Sequence, residues 1–213
     1  MKKILVLILS FAFYSCGTMY TTLTENINLL AEDSLEVSYS GKTYQLPLKD
    51  GGACYVYEYN VPNIGADTLY SVTRLVMPDI FNSAESVIQM EDATLKTIVG
   101  KGKDVSMFET KYNKYMYMQT FIHNVYYTLR VQCYNGKIKI SVYNLHSRNS
   151  YSGTYTNGVT EYYLQEAVTK GLDKECKIQE NVYGAFIIAI DNVARDIIDT
   201  FILTADKYLK DNF

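Results

Sequence analysis

The sequence contains few of the residues on which common catalytic and metal sites depend. It has two histidines, four cysteines and no tryptophan. No cysteine occurs in a CxxC pair or at zinc-like spacing, and the HExxH, nucleophile-elbow and Walker A motifs are absent. The net charge of −3 also argues against a chain-wide surface for nucleic acid. We therefore expect no cofactor and no nucleic-acid partner.

The first residues have the features of an export signal. Lys2 and Lys3 precede an almost unbroken apolar run over residues 4–13. This run is shorter than the roughly 20 apolar residues that span a bilayer, as is every later apolar stretch, so it predicts a signal peptide. Ser15-Cys16-Gly17 resembles the end of a bacterial lipoprotein signal, in which the cysteine is acylated. We therefore predict a signal peptide over residues 1–15 and a lipid anchor on Cys16 that holds the protein on a membrane.

The residues after Cys16 bear on the location of the anchored protein. In some Gram-negative phyla, an acidic run after the acylated cysteine directs a lipoprotein to the cell surface. Residues 17–22 contain no acid. We therefore expect an outer-membrane lipoprotein of the cell envelope that faces the periplasm and not the cell surface.

The three remaining cysteines are Cys54, Cys133 and Cys176. The periplasm permits disulfides, but three thiols form at most one internal bond. Buried free cysteines are common in protein cores. The sequence leaves open whether any pair is oxidised.

A long hairpin over residues 115–146 is the strongest structural signal. Asn135-Gly136 joins two β-rich runs and predicts a type I′ turn with Tyr134 opposite Lys137. In this register one face is apolar. The other face is polar and carries Arg130 opposite Ser141, as a half-buried antiparallel pair requires.

The patterns on either side of this hairpin predict an α+β fold. From the N-terminus we expect the signal peptide (1–15), a tether (16–34), a small hairpin and linker (35–52), a core domain (53–146), a connecting loop with a short helix near 162–168 (147–180), and an amphipathic helix (181–213). Within the core domain, a strand over 53–61 precedes a helix with Asn63 as its N-cap, and strands over 86–91 and 95–99 follow. The order β-α-β-β-β-β-α predicts an antiparallel sheet with its helices packed on one face.

Several short segments of this core resemble a known bacterial family. The matching segments are Val61-Pro62, Leu69-Tyr70, Ile80-Phe81, Ser86-Val87-Ile88-Gln89 and Ile98-Val99-Gly100-Lys101-Gly102. They are similar to a lipoprotein domain of unknown function with a TATA-binding-protein-like (TBP-like) fold, over about residues 53–146. Met77-Pro78 departs from that pattern, where an aromatic residue is frequent. The resemblance implies a fold and no catalytic residues, and a fold name implies nothing about DNA.

Two sets of residues are candidates for a site. In the predicted register, His123 and His146 lie diagonally on one face, about 7–8 Å apart, where they could share a metal, although structural histidines are the favoured interpretation. The second set mixes cations with aromatic rings in one predicted loop, and consists of Lys101, Lys103, Lys111, Lys114, Tyr112 and Tyr115. For an exported acidic protein, a glycan or an envelope protein is the expected partner of that loop.

These observations favour a non-enzymatic binding or assembly module of the cell envelope. One alternative is an envelope enzyme, such as a hydrolase, whose site is assembled from scattered residues. The other alternative is a structural subunit that uses its tyrosine-rich strands or last helix as an interface. A deep pocket that holds both histidines and an acid would favour the enzyme, and a large exposed apolar patch would favour the interface.

Overall fold

The computed structural model describes residues 33–39, 42–50, 52–81, 87–112, 117–152, 157–163 and 177–212. Its elements are β1 (Asp33–Tyr39), β2 (Lys42–Lys49), β3 (Gly52–Ala53), β4 (Tyr55–Asn60), α1 (Ala66–Ile80), β5 (Val87–Asp92), β6 (Thr97–Tyr112), β7 (Tyr117–Tyr134), β8 (Lys137–Ser152), β9 (Asn157–Tyr163) and α2 (Lys177–Asn212). The predicted signal peptide and tether, Cys16 and Cys176 lie outside the described residues.

The described strands form two antiparallel sheets. The small sheet has the order β1-β2-β3 and includes the predicted N-terminal hairpin. The large sheet has the order β4-β8-β7-β6-β5, and β9 pairs with β8 beyond the end of β4. Helices α1 and α2 contact each other, and both contact β6, β7 and β8. The predicted α+β class, with the helices on one face of an antiparallel sheet, is confirmed.

The large sheet extends further than the sequence suggested. The prediction of a loop over residues 147–158 is wrong where β8 continues to Ser152 and β9 begins at Asn157. The predicted helix near 162–168 is wrong at Tyr162 and Tyr163, which lie in β9, and its remainder falls outside the described residues. Residues 146–148 of β8 pair with β7 on one side and β9 on the other. Pairing on both sides therefore overrides a polar composition that is typical of loops.

The prediction that β6 ends near Gly100-Lys101-Gly102 is also wrong, because the strand continues to Tyr112. A Cβ atom added at Gly100 would lie 2.4 Å from the ring of Phe81, and one at Gly102 would lie 2.3 Å from the ring of Tyr127. The two rings themselves stack, with centroids 6.3 Å apart. These glycines therefore allow aromatic rings to lie against the strand, and they do not turn the chain.

The predicted hairpin register is confirmed from Tyr134 opposite Lys137 to Thr128 opposite Tyr143. Beyond that point Tyr126 lies opposite His146, so two steps along β7 correspond to three steps along β8. β8 therefore carries one extra residue, and Asn144 within this bulge has a φ of 54°. The inserted residue reverses the alternation of side chains along the rest of β8.

The tip of the hairpin is held differently from the prediction. Gly136 has a φ of 74° but Asn135 does not have a positive φ, so the turn is not type I′. The side chain of Asn135 instead accepts a hydrogen bond from the backbone N–H of Ala66, at 2.9 Å. The backbone of Gly136 donates to Ile64 and accepts from Val61, each at 2.8 Å. The turn is thus bonded to the connection between β4 and α1.

This bonding also corrects the predicted start of α1. The helix begins at Ala66 with Gly65 in the N-cap position, and no side chain of its own segment caps it. Asn63 has a φ of 69° and lies before that position. Asn135, which is 69 residues away in sequence, supplies the capping oxygen. Pro78 lies in the last turn of α1, which ends at Ile80.

The long helix α2 covers the sheet with its apolar stripe. It begins at Lys177, four residues before the predicted start, and the predicted stripe from Ile187 through Ala205 is buried. Asp191 is also buried, accepting a hydrogen bond from the hydroxyl of Tyr55 at 2.9 Å and pairing with Arg195 at 3.0 Å. Within the described residues, neither helix is long and apolar enough to cross a lipid bilayer.

Replacing Asn135 with Ala should lower the free energy of unfolding by about 1 kcal/mol, since the first turn of α1 loses its capping oxygen. Asn135→Asp keeps an acceptor at this position and adds a charge that suits a helix N-terminus, so it should remain close to the parent protein. Chemical denaturation of the three proteins measures the difference. Equal stability of the Ala and Asp variants would contradict the capping role.

Candidate functional site

The face of the large sheet opposite the two helices, here called the helix-free face, carries an ordered array of polar side chains. The pairing register places neighbouring side chains in rows across β4, β8, β7 and β6. One row contains Val56, Ser141, Arg130 and Val99; the next contains Glu58, Lys139, Gln132 and Thr97; on the other side lie Tyr143, Thr128 and Lys101. Residues of the intervening positions, such as Ile140 and Val131, are buried in the core.

A groove of about 600 Å³ lies on this face. Side chains of β4, β7 and β8 form its floor, and the corner between β2 and β3 forms one wall. It is lined by Lys49, Asp50, Gly52, Ala53, Cys54, Val56, Arg130, Gln132, Lys139, Ser141, Tyr143, Asn144 and Leu145. Sites for small molecules in proteins usually have volumes of about 300–1,000 Å³, so the groove is large enough for one.

Arg130 is the most unusual side chain of the groove. Its Nε atom is buried and has no hydrogen-bond partner among the described residues. The nearest acid by register, Glu58, is instead bonded to Lys137 at 2.9 Å. A buried guanidinium N–H without an acceptor is costly, and such groups call for an explanation. A ligand that supplies the acceptor is one such explanation.

The bulge in β8 separates the two histidines, so the predicted shared face is wrong. His123 is fully buried on the helix side, with its Nδ1 atom 3.0 Å from the hydroxyl of Ser147 and its ring 6.2 Å from that of Phe186. His146 lies on the helix-free face and stacks on Tyr126, with ring centroids 5.2 Å apart. The described part of the chain contains no group of three potential metal ligands.

Cys54 and Cys133 form no disulfide in the part of the chain that the structure describes. Cys133 is buried, 3.3 Å from the hydroxyl of Thr73, and burial raises the pKa of its thiol to about 11. Cys54 is half-buried in the wall of the groove. A thiol whose pKa is raised is a poor nucleophile at neutral pH, so Cys133 is a packing residue.

The predicted basic and aromatic loop is not a loop over its described residues. Lys101, Lys103, Lys111 and Tyr112 all lie in β6, and the first and third are ten residues, or about 33 Å, apart. Lys114 and Tyr115 fall outside the described residues. By register, Lys101 shares the helix-free face with the groove and is its near neighbour through Thr128.

The residues of the groove were visible in the sequence as the polar face of the long hairpin. The polar face of a strand usually faces solvent, so this pattern alone does not predict a groove there. The available signal was the diagonal placement of two cations, Arg130 and Lys139. The wall contributed by the β2–β3 corner comes from a distant segment and carries no signal in the hairpin.

Together, the described elements form an α+β domain with two helices on one sheet face and a polar groove on the other. Residues 55–148 match the model of a family described as a domain of unknown function (DUF4468) with a TBP-like fold. A search of curated proteins finds no match to the chain.

Two crystal structures share this fold. A DUF4468 family protein from Bacteroides ovatus ATCC 8483 has a TM-score of 0.55 and 16% identity, with 75% of this chain and 90% of that chain covered. A TBP-like protein from Parabacteroides distasonis ATCC 8503 has a TM-score of 0.50 and 13% identity, with 73% of this chain and 96% of that chain covered. At these identities the likeness establishes the fold alone.

His123 should make the protein less stable in acid. Burial lowers its pKa from 6.5 to about 4, so between these values the unfolded state binds the proton and the folded state does not. The contribution is fully present above pH 6.5, and up to roughly 3 kcal/mol is lost as the pH falls to 4.

Urea denaturation of the parent protein and His123→Gln across pH 4–7 measures this contribution. Asp196 acts in the opposite direction, because burial and the charges of Asp104 and Asp199 raise its pKa to about 6. Both proteins contain Asp196, so its contribution cancels when the free energy of unfolding of the variant is subtracted from that of the parent. A difference that does not change with pH would refute the assignment.

Arg130 should be a destabilising residue in the absence of a ligand. Arg130→Met keeps an unbranched apolar stem and removes the buried N–H, so the free energy of unfolding should rise by about 1 kcal/mol. Lys139→Met lies in the same groove and removes no known unsatisfied atom, so its effect should stay within about 0.5 kcal/mol. Denaturant titration measures the free energies of unfolding of both variants and the parent protein. A lower stability of Arg130→Met than of the parent would argue against an unsatisfied Nε atom that a ligand completes.

Proposed function

We propose that this protein is an exported, lipid-anchored binding module of the cell envelope that contacts its ligand through the groove on the helix-free face. The observation that carries the binding role is Arg130, which lines that groove and whose Nε atom is buried without an acceptor among the described residues. A buried N–H without an acceptor disfavours folding, and a ligand that accepts its hydrogen bond would offset that cost. The proposed role is non-enzymatic, because the lining residues offer the charges and hydrogen-bond donors that hold a ligand.

The anchor is supported by the N-terminal sequence. Lys2 and Lys3, the apolar run over residues 4–13 and Cys16 occur in the order of a bacterial lipoprotein signal. The acyl chains on Cys16 would hold the domain at the membrane. The absence of acids over residues 17–22 supports the periplasmic side of the outer membrane.

The enzyme and interface alternatives differ in the structural support that each has. A pocket that held both histidines would have favoured the enzyme alternative, but the bulge at Asn144 places His123 and His146 on opposite faces. The interface alternative keeps some support from edge strand β5, where Ile88 and Met90 are 40% and 43% exposed. Single exposed apolar residues are common on monomers, so the groove is the stronger candidate.

Mass spectrometry of protein extracted from its native membranes tests both parts of the proposal. Under denaturing conditions, we expect a mature chain that begins at Cys16 and carries acyl mass. Under native conditions, we expect an additional non-covalent ligand mass. Cys16→Ala should carry no acyl mass and should still bind the ligand. Ser141→Trp, which places a large ring in the centre of the groove, should lose only the ligand.

Two results would overturn the proposal. An uncut chain, or one cut elsewhere without lipid, would refute the anchor. A native mass that equals the denatured mass in the parent protein, or a ligand that persists in Ser141→Trp, would refute the groove as the binding site.

A further inference from the structure

The chemistry of the groove restricts the ligand. Among its lining residues are three cations, Lys49, Arg130 and Lys139, and one acid, Asp50. The groove therefore carries a net charge of about +2, although the chain carries −3. A local charge opposite in sign to that of the protein attracts anions into a concave surface.

The strand register places two of these cations, Arg130 and Lys139, close together. Arg130 lies directly opposite Ser141 on β8, with Lys139 and Tyr143 two residues to either side of that serine on the same face. Diagonal neighbours on one face of an antiparallel pair lie about 7–8 Å apart, which is within reach of long side chains. Gln132 is opposite Lys139 and completes the group. Two cations and three neutral hydrogen-bonding side chains therefore surround one spot on the floor.

In the described part of the chain, neither Arg130 nor Lys139 forms an ion pair, whereas the neighbouring Lys137 is bonded to Glu58. A guanidinium presents a planar fork of N–H donors that fits a carboxylate or phosphate through two parallel bonds. The buried Nε atom of Arg130 is part of that fork, and an oxyanion would supply its acceptor.

We propose that the groove binds a small acidic molecule whose carboxylate or phosphate group is held by Arg130 and Lys139. Ser141, Gln132 and Tyr143 then offer hydrogen bonds to the neutral remainder of the molecule. The wall at the β2–β3 corner and the volume of about 600 Å³ suit a compact ligand. This inference rests on the proposed binding role of the same groove and adds the chemical class of the ligand.

Binding of defined probes to the purified full chain tests the inference. Isothermal titration calorimetry with glucuronate, glucose 6-phosphate and glucose compares a carboxylate, a phosphate and their neutral counterpart. At least one anion should bind about tenfold or more tightly than glucose, and its affinity should fall as salt is added. A preference for glucuronate identifies a carboxylate ligand, and a preference for glucose 6-phosphate identifies a phosphorylated one.

Variants connect the binding to the two cations. Arg130→Gln and Lys139→Gln should each weaken binding of the anion about tenfold or more, because each removes a charged hydrogen bond. Arg130→Lys keeps the charge without the fork and should be intermediate. Lys207→Gln removes the same charge from an exposed position of α2, on the other side of the sheet, and should bind like the parent. Thermal melting confirms that each variant is folded.

Equal binding of all three probes, or anion binding that is unchanged in folded Arg130→Gln, would overturn the inference. Its failure can be distinguished from failure of the proposed function. A neutral molecule that co-purifies with the parent protein and is lost in Ser141→Trp would leave the binding role intact and refute the acidic ligand. If no ligand co-purifies and no anion binds, both proposals fail.

Discussion

Burial of a single face of the large sheet under α1 and α2 is the constraint on which the rest of the structure depends. Side chains alternate along a strand, so burying Ile140 and Val131 in the core sends Ser141 and Arg130 to the opposite face. The same pairing that builds the core therefore fixes the floor of the groove. The helix side also recruits polar groups into its packing, as Tyr55 and Arg195 do around the buried Asp191.

A second level of organisation comes from the tip of the long hairpin. Asn135 caps a helix that is distant in sequence, and Gly136 bonds on both sides to the connection between β4 and α1. These contacts fix the start of α1 relative to β7 and β8. Because β4 also pairs with β8, the helix, the edge strand and the hairpin are linked at one corner of the domain. Rigid elements of this kind hold the side chains of a binding surface in a constant arrangement.

The two faces of β7 place ionisable side chains in different surroundings. On the helix side, His123 loses its proton affinity because burial disfavours the charged form. On the other side, the Nε atom of Arg130 is buried and has no hydrogen-bond partner among the described residues. Functional sites are expected places for such a departure from optimal stability. Residues 55–148, which match the domain of unknown function, include both of these side chains.

The sequence by itself determined the strands of the hairpin, most of their register, the apolar stripe of α2 and the α+β class. These features depend on periodicity and on turn residues, which are local. Only the tertiary structure decided the paths of β6 and β8. Gly100 and Gly102 resemble a chain break until Phe81 and Tyr127 lie against them, and Asn144 becomes a bulge only when β8 pairs with β7. Likewise, Asn135 caps α1 only when the hairpin tip lies beside that helix, and the β2–β3 corner forms a wall of the groove only in the folded domain. Each of these contacts joins distant segments, and a pattern of neighbouring residues carries no record of such contacts.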